Sequence, residues 1–146
     1  MNRALRSIIA LLFALAIAAG AWAVPAYGPY AFKAIALTVP SRGASVPAVL
    51  TLPEKAGALP LVVMAHGHGG SKEENGGFTA IAEALAARGV ASVRMDFPGC
   101  GASTEAFTAN TLTNMLADME AARAAAGARA PIDAANTGVF GYSMGG

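Results

Sequence analysis

The chain has 146 residues, of which 55% are hydrophobic, and a formal net charge of +1. A chain of this length can bury one hydrophobic core but hardly two, so it forms one domain or part of one. The near-neutral charge gives no reason to expect a nucleic-acid partner. The single cysteine, Cys100, excludes an internal disulfide framework.

The first 23 residues have the pattern of a secretion signal. Two arginines, at positions 3 and 6, precede an apolar run over residues 8–19, and Ala21-Trp22-Ala23 supplies the small residues of a cleavage site. We expect cleavage after Ala23 and export to the periplasm or the extracellular space. The alternative is an uncleaved membrane anchor, because the apolar sequence over residues 8–26 approaches the about 20 residues that a spanning helix needs.

A short linker, residues 24–30, precedes a predicted domain over residues 31–146. The domain begins with two β-type runs, FKAIALTV and VPAVLTLP, separated by Pro40-Ser41-Arg42-Gly43. Two short runs of this kind on either side of a turn signal predict an antiparallel hairpin.

Strand and helix patterns then alternate along the chain. The runs LPLVVMAH and VASVRMDF predict buried strands, and FTAIAEALAARG between them predicts a helix that ends at Gly89. TLTNMLADMEAARAAAG predicts a second helix, and TGVF a final strand. One face of the second helix carries the apolar residues Leu112, Met115, Leu116 and Met119. The order β-β-β-α-β-α-β predicts an α/β fold, with a mostly parallel sheet and helices on its faces.

The segment His66-Gly67-His68-Gly69-Gly70 follows the third predicted strand, at the edge of the sheet where α/β proteins place their sites. It matches neither the phosphate-binding loop nor the dinucleotide fingerprint. Two histidines do not complete a catalytic zinc site, which usually has three protein ligands, so we predict no metal and no cofactor. Glycines here let backbone N–H groups approach a ligand, which favours an oxyanion loop over a simple tight turn.

Asp96 and Cys100 lie in DFPGCGAS, after the fourth predicted strand. A carboxylate before Pro-Gly is typical of a side chain that accepts backbone hydrogen bonds and fixes a turn, and we favour this role over that of a catalytic acid. Cys100 has no activating base next to it in the sequence, which favours an inert thiol over a nucleophile.

The run Gly141-Tyr142-Ser143-Met144-Gly145 matches G-x-S-x-G, the sharp turn that presents a nucleophilic serine between a strand and a helix. The serine of such a turn occupies strained backbone, and the residues two before and two after it must be tiny, as Gly141 and Gly145 are. A five-residue match is common by chance, but this one follows a predicted strand, and HGHGG lies two strands earlier. Together these features indicate a nucleophile and an oxyanion loop.

From about Phe32 onward the chain resembles the N-terminal half of an α/β-hydrolase, through MAHGHGGSKEE, ASVRMDFPGCGAS and GVFGYSMGG. Within that superfamily it is similar to cinnamoyl- and feruloyl-esterase-like and acyl-peptidase-like serine hydrolases. The resemblance implies that Ser143 is the nucleophile and that the N–H groups of His68 and Met144 form the oxyanion hole. It also implies a small-molecule acyl ester as the substrate.

The same resemblance implies the chain order Ser, then Asp or Glu, then His, so the acid and the base are expected after Gly146. Residues 24–146 alone are then expected to be truncated at the elbow and inactive, with an uncovered apolar edge strand that promotes aggregation. Acyl-peptide hydrolysis and acyl transfer, which use the same nucleophile, stay open as alternatives, as does a non-catalytic exported module. No acyl or alcohol specificity and no oligomeric state is predicted.

Overall fold

A computed structural model describes residues 28–146; the predicted signal peptide, residues 1–23, and the first part of the linker lie outside the described residues. The described part of the chain contains five strands, two long helices and three short 3₁₀ turns. In chain order the strands and long helices are β1 (Phe32–Ser41), β2 (Ala44–Pro53), β3 (Leu59–Ala65), α1 (Gly77–Ala87), β4 (Ala91–Met95), α2 (Leu112–Gly127) and β5 (Ile132–Gly141). Neither helix within residues 28–146 has both the length and the hydropathy needed to cross a membrane.

Strands β1 and β2 form the predicted hairpin. They pair antiparallel along their whole length, from Phe32 opposite Pro53 to Ser41 opposite Ala44. The turn is tighter than the four-residue link predicted, because only Arg42 and Gly43 lie between the strands, with φ of 54° and 82°. Positive φ at both central residues gives the turn a twist that matches the strands it joins.

The five strands form one mixed sheet in the order β1-β2-β4-β3-β5. β3 pairs in parallel with both β4 and β5, whereas β2 runs antiparallel to its neighbours β1 and β4. The α/β fold is therefore confirmed. Since β3, β4 and β5 run in one direction, the loops after them meet at the same end of the sheet, beyond the carboxyl ends of these strands.

The main hydrophobic core lies between the sheet and α2. All five residues of β4 are buried. The core residues of the central strands include Leu50, Leu61, Val63, Val93 and Met95, which pack with Met115, Ala122 and Ala126 of α2. A smaller cluster on the other face joins Met64 of β3 to Phe78 and Ala82 of α1. Both faces of the sheet are thus covered at its centre.

Helix α2 begins where the sequence predicts, because the Thr111 side chain accepts a hydrogen bond from the Asn114 N–H as an N-cap. Its buried side includes Asp118, while Leu112 and Leu116 are 69% and 65% exposed. The sequence shows these two leucines on the same face as Met115, and the structure shows that only part of this face meets the sheet.

Asp118 is buried because it is paired with Arg42, at the hairpin turn. The Arg42 guanidinium donates to both carboxylate oxygens, at 2.9 and 2.8 Å, and also to Glu105. The hydrogen bonds to Asp118 and Glu105 raise the pKa of Arg42 above its usual value. This ion pair ties the turn between β1 and β2 to α2 and to the loop after β4.

Strand β5 is the edge of the sheet beside β3, as the sequence predicts for TGVF. Val139 is 67% exposed and Phe140 is 39% exposed, on opposite faces of the strand. The strand therefore presents apolar side chains and free backbone groups over the residues that lead to Ser143.

Candidate active site

The elbow at Ser143 has the strained backbone that its sequence predicts. Ser143 has a φ of 53°, whereas Tyr142 before it is extended at a φ of −124° and a ψ of 131°. A non-glycine residue in the left-handed region costs of order 1 to 2 kcal/mol. Such a residue persists only where its surroundings hold it, and functional sites are where such residues collect.

The two glycines of the motif hold this turn by close backbone contacts. A Cβ built on Gly141 would lie 2.1 Å from the carbonyl oxygen of Gly145, and one built on Gly145 would lie 2.1 Å from the carbonyl oxygen of Ala65. Both distances are far inside van der Waals contact, and both involve backbone atoms that cannot rotate away. The spacing G-x-S-x-G is therefore required by the packing of this turn against the end of β3.

The predicted oxyanion loop, residues 66–70, lies directly beside the elbow. The Tyr142 N–H donates to the carbonyl oxygen of Ala65 at 3.1 Å, which joins the end of β5 to the end of β3. A Cβ built on Gly67 would lie 3.3 Å from Ser143 Cβ and 3.1 Å from the Tyr142 ring. The structure thus brings together the two sequence motifs, HGHGG and GYSMG.

His66 has a structural place in this loop. Its ring is fully buried, lies 4.7 Å from the Phe97 ring, and accepts the Phe97 N–H at Nε2 over 3.1 Å. Because Nε2 is an acceptor, we assign the ring proton to Nδ1, which donates to the Gly67 carbonyl oxygen at 2.7 Å. Both ring nitrogens are therefore engaged, which leaves His66 neither a free base nor a metal ligand.

His68 lies at the surface of the same loop. Its ring is exposed and contacts Phe107 edge to face, with ring centroids 5.1 Å apart. Gly69, which follows it, has a φ of 65°, a conformation that favours glycine. Within residues 28–146, neither the His68 N–H nor the Met144 N–H donates a hydrogen bond to another backbone or side-chain group. Both predicted oxyanion donors are therefore unused by the protein itself.

Glu74 is a residue of the site that sequence reasoning missed. Its carboxylate accepts the Gly67 N–H at 3.0 Å, and a Cβ built on Gly70 would lie 2.8 Å from the same oxygen, Oε2. Glu74 and Asn75 have φ of 42° and 53°, so two successive non-glycine residues are left-handed. Asn75-Gly76 is a turn signal in the sequence, but it does not show that the Glu74 side chain reaches Gly67.

Asp96 fixes the loop after β4, as the sequence predicts. Its buried carboxylate accepts the N–H groups of Lys72 and Ala102 at 2.7 and 2.9 Å, and it pairs with Lys72 Nζ at 2.6 Å. A Cβ built on Gly101 would lie 2.2 Å from Asp96 Oδ1, so glycine is required there. All of these contacts are structural, and they link the loop after β4 to the oxyanion loop.

Cys100 is also consistent with the inert role predicted for it. The side chain is buried, at 4% exposure, and burial raises the pKa of its thiol. Asn110 Nδ2 donates to the sulfur at 3.4 Å. A thiol with a raised pKa forms little thiolate at neutral pH and is a poor nucleophile.

Two clefts lie at opposite ends of the sheet. One of about 270 Å³ adjoins the elbow and is lined by Glu74, Asn75, Gly77, Phe78, Ile81, Phe140 and Tyr142. The larger, of about 430 Å³, is lined by residues near the starts of β1, β3 and β5, such as Lys33, Leu59 and Pro131. The smaller cleft adjoins the elbow through Tyr142, but neither Ser143 nor His68 lines it. The described residues contain no group of three or more side chains suited to a metal ion.

The fold and the serine elbow define an α/β-hydrolase. Residues 57–146, more than half of the chain, match the family described as serine aminopeptidase, S33, and the chain belongs to that family. No curated protein sequence matches it.

Solved structures of hydrolases share the fold. Ferulic-acid-bound Est1E of Butyrivibrio proteoclasticus is 28% identical with a TM-score of 0.65, and the match covers 75% of this chain and 43% of that one. A putative dienelactone hydrolase of Klebsiella pneumoniae subsp. pneumoniae MGH 78578 is 22% identical, with a TM-score of 0.64 and coverage of 79% and 51%. An acetyl xylan esterase of Paenibacillus sp. R4 is 19% identical, with a TM-score of 0.61 and coverage of 81% and 43%. The chain thus spans about half or less of the length of these structures.

Proposed function

We propose that this chain carries the nucleophile and the oxyanion hole of a serine hydrolase that cleaves carboxylic esters of small molecules. The observation that carries the proposal is the left-handed Ser143, held between two glycines that admit no Cβ and placed against Gly67 of the oxyanion loop. A serine in this geometry projects its hydroxyl from the carboxyl end of the sheet.

In the proposed reaction Ser143 Oγ attacks the acyl carbonyl carbon while a base takes its proton. The carbonyl oxygen becomes an oxyanion that accepts hydrogen bonds from the N–H groups of His68 and Met144. Collapse expels the alcohol, which receives the proton from the base, and leaves an acyl group on Ser143. Water then attacks this acyl-enzyme by the same route, releasing the carboxylic acid and the free serine.

The base is proposed to come from sequence that follows the elbow. Neither nitrogen of His66 is free, and His68 lies on the oxyanion loop. In α/β-hydrolases the acid and the histidine follow the serine in the chain. The match to Est1E covers only 43% of that protein, which leaves room for both groups in a longer chain.

The structural neighbour at 28% identity favours esters over peptides, because Est1E was solved with ferulic acid. The family description, serine aminopeptidase, favours a second candidate, hydrolysis of peptide substrates by the same acyl-enzyme route. Acyl transfer uses the same groups with another acceptor in place of water.

The test uses the full-length gene product, that is, this chain together with the sequence that is proposed to follow it. A fluorophosphonate probe labels activated serines covalently. Ser143→Ala is expected to abolish labelling and hydrolysis of p-nitrophenyl acetate, whereas Cys100→Ala is expected to keep both. Labelling that survives in Ser143→Ala, or that disappears only in Cys100→Ala, would remove Ser143 from the mechanism. Unlabelled wild-type protein would favour a non-catalytic module, and comparison of aryl esters with aminoacyl anilides would separate the two substrate classes.

Export is a separate proposal, supported by the charged, apolar and small-residue regions of residues 1–23. The mature protein is expected to begin at Val24 and to accumulate outside the cytoplasm. N-terminal sequencing of the purified protein checks this, and Met1 retained in a membrane fraction would instead indicate an anchor.

A further inference from the structure

The peptide unit between Gly67 and His68 is held on one side by the protein. The Gly67 carbonyl oxygen accepts His66 Nδ1–H at 2.7 Å and the Gly70 N–H at 3.1 Å. Since a trans peptide is planar, the His68 N–H must point opposite to this carbonyl. The contacts that fix Gly67 therefore also fix the direction of the predicted oxyanion donor.

Glu74 accepts the hydrogen bond of the Gly67 N–H. Its Oε2 accepts the Gly67 N–H at 3.0 Å, and the same oxygen lies so close to Gly70 that a Cβ there would be 2.8 Å away. A single carboxylate thus contacts both ends of the tight turn that contains His68. With the His66 bond, it leaves no backbone group of Gly67 free to turn.

The backbone at Glu74 has a left-handed conformation that is uncommon for glutamate. Glu74, Asn75 and Gly76 have φ of 42°, 53° and 88°, so three successive residues are left-handed. The Glu74 N–H donates to the Ser71 carbonyl oxygen at 2.9 Å, which holds the carboxylate's own backbone. Strain of this kind, next to a strained nucleophile, points to a role in the site.

We propose that Glu74 is a positioning residue for the oxyanion hole, acting through Gly67 on the direction of the His68 N–H. This proposal rests on the function proposed above. Glu74 does not need to contact the substrate, because its effect passes through the Gly67 backbone. An uncharged acceptor of the same shape should perform the role, whereas a side chain without an acceptor should not.

The kinetic test compares Glu74→Ala and Glu74→Gln with wild type in the full-length gene product, using p-nitrophenyl acetate. A donor that is misdirected weakens binding of the transition state more than of the substrate, so kcat of Glu74→Ala should fall about 10- to 100-fold with KM within about two-fold. Glu74→Gln should recover most of the loss. Glu83→Ala is the matched control. It removes a carboxylate of α1 that lies outside the loop, and it should keep the wild-type kcat.

A second measurement is independent of catalysis. Amide hydrogen exchange followed by NMR should show faster exchange at Gly67 in Glu74→Ala, by about ten-fold or more, with the thermal midpoint little changed. Hydrolysis that persists in Ser143→Ala would overturn the proposed function. If Ser143 is required but Glu74→Ala keeps the wild-type kcat and Gly67 protection, the function stands and the role of Glu74 is wrong. A fall in the thermal midpoint without a selective loss of kcat would likewise reduce Glu74 to a structural residue.

Discussion

The two strands on either side of β3 differ in length, composition and burial. Every residue of β4 is buried, whereas Val139 of β5 is 67% exposed. The loop after β3 contacts both sides, because His66 bonds the backbone after β4 and Gly67 adjoins Ser143 after β5. The predicted oxyanion loop is thus bonded to the backbone after the buried strand β4, and Ser143 follows the more exposed strand β5.

The elbow is held by backbone contacts together with one side chain, Met144, which packs against the main core. These backbone contacts include the Tyr142 N–H bond to Ala65, the Gly145 N–H bond to Tyr142 and the two close glycine approaches. The oxyanion loop, by contrast, is held by buried side chains, His66 among them. Substitutions at the elbow and in the buried strand β4 should therefore have different effects on labelling and on stability.

The largest effect is expected from a methyl group placed in the elbow. Gly145→Ala would put a Cβ 2.1 Å from the Ala65 carbonyl oxygen, so the backbone must move. We expect loss of Ser143 labelling by the fluorophosphonate and a fall of about 3 kcal/mol in the free energy of unfolding, at the upper end for overpacking. Both are measured on the full-length gene product.

Gly138→Ala is the matched control for that variant, because a Cβ on Gly138 of β5 meets nothing within 4 Å. It should leave labelling intact and lower the unfolding free energy by less than Gly145→Ala does, because it introduces no clash with the described backbone. Equal losses in the two variants would mean that β5, and not the elbow contact, is sensitive to any added methyl group.

The next largest difference is expected when one valine in β4 and one in β5 are each shortened to alanine. Val93 of β4 is fully buried, so Val93→Ala should lower the free energy of unfolding by about 2 kcal/mol. Val139→Ala on β5, in a polypeptide of residues 24–146, should change it by about 0.5 kcal/mol or less, because little surface is removed from water there. Urea denaturation of both variants checks the comparison, and similar losses would contradict the described exposure of β5.

The features that local sequence determines could be predicted. The hairpin, the two helices, the elbow and the structural role of Asp96 each follow from residues close together in the chain, through turn glycines and apolar periodicity. Gly141 and Gly145 in particular are required by contacts within the motif and with the end of β3.

The features set by long-range pairing could not be predicted. Asp118 interrupts the apolar face of α2, and its burial depends on Arg42, which is 76 residues away. The place of Glu74 depends on left-handed backbone at Glu74 and Asn75, a conformation that asparagine tolerates but that is uncommon for glutamate. Neither contact leaves a periodic or motif signal in the sequence.

A smaller effect is expected on solubility. Residues 24–146 should be poorly soluble, because β5 presents an apolar edge with unpaired backbone groups. Val139→Lys should raise the soluble, monomeric fraction measured by size-exclusion chromatography, whereas Val139→Leu should not. Neither form should show Ser143-dependent turnover of aryl esters. A soluble monomer of residues 24–146 whose activity disappears in Ser143→Ala would contradict the expectation that the base follows Gly146.

The smallest expected effect is a dependence of stability on pH. It involves Arg94 of β4, which is 4% exposed. Its guanidinium donates to Thr51 Oγ1 at 3.0 Å and to Glu73 Oε2 at 3.2 Å, and Glu73 also accepts a hydrogen bond from the Thr79 hydroxyl. Burial acts to raise the pKa of Glu73, but the bonds from Thr79 and Arg94 and the charge of Arg94 outweigh it, so the pKa lies below its ordinary value of 4.5.

A carboxyl group whose pKa is lower in the folded than in the unfolded chain stabilises the fold above the unfolded pKa, and this contribution is lost as pH falls through the folded pKa. The free energy of unfolding should therefore decrease more steeply below pH 4.5 in wild type than in Glu73→Gln. The difference should be small, because the Glu73 side chain is 41% exposed and solvent screens the pair. Thr79→Val removes one donor but keeps Arg94, so its slope should be intermediate. Urea denaturation between about pH 7 and pH 3 measures the three slopes, and parallel curves would show that the Glu73 carboxylate contributes nothing to folding.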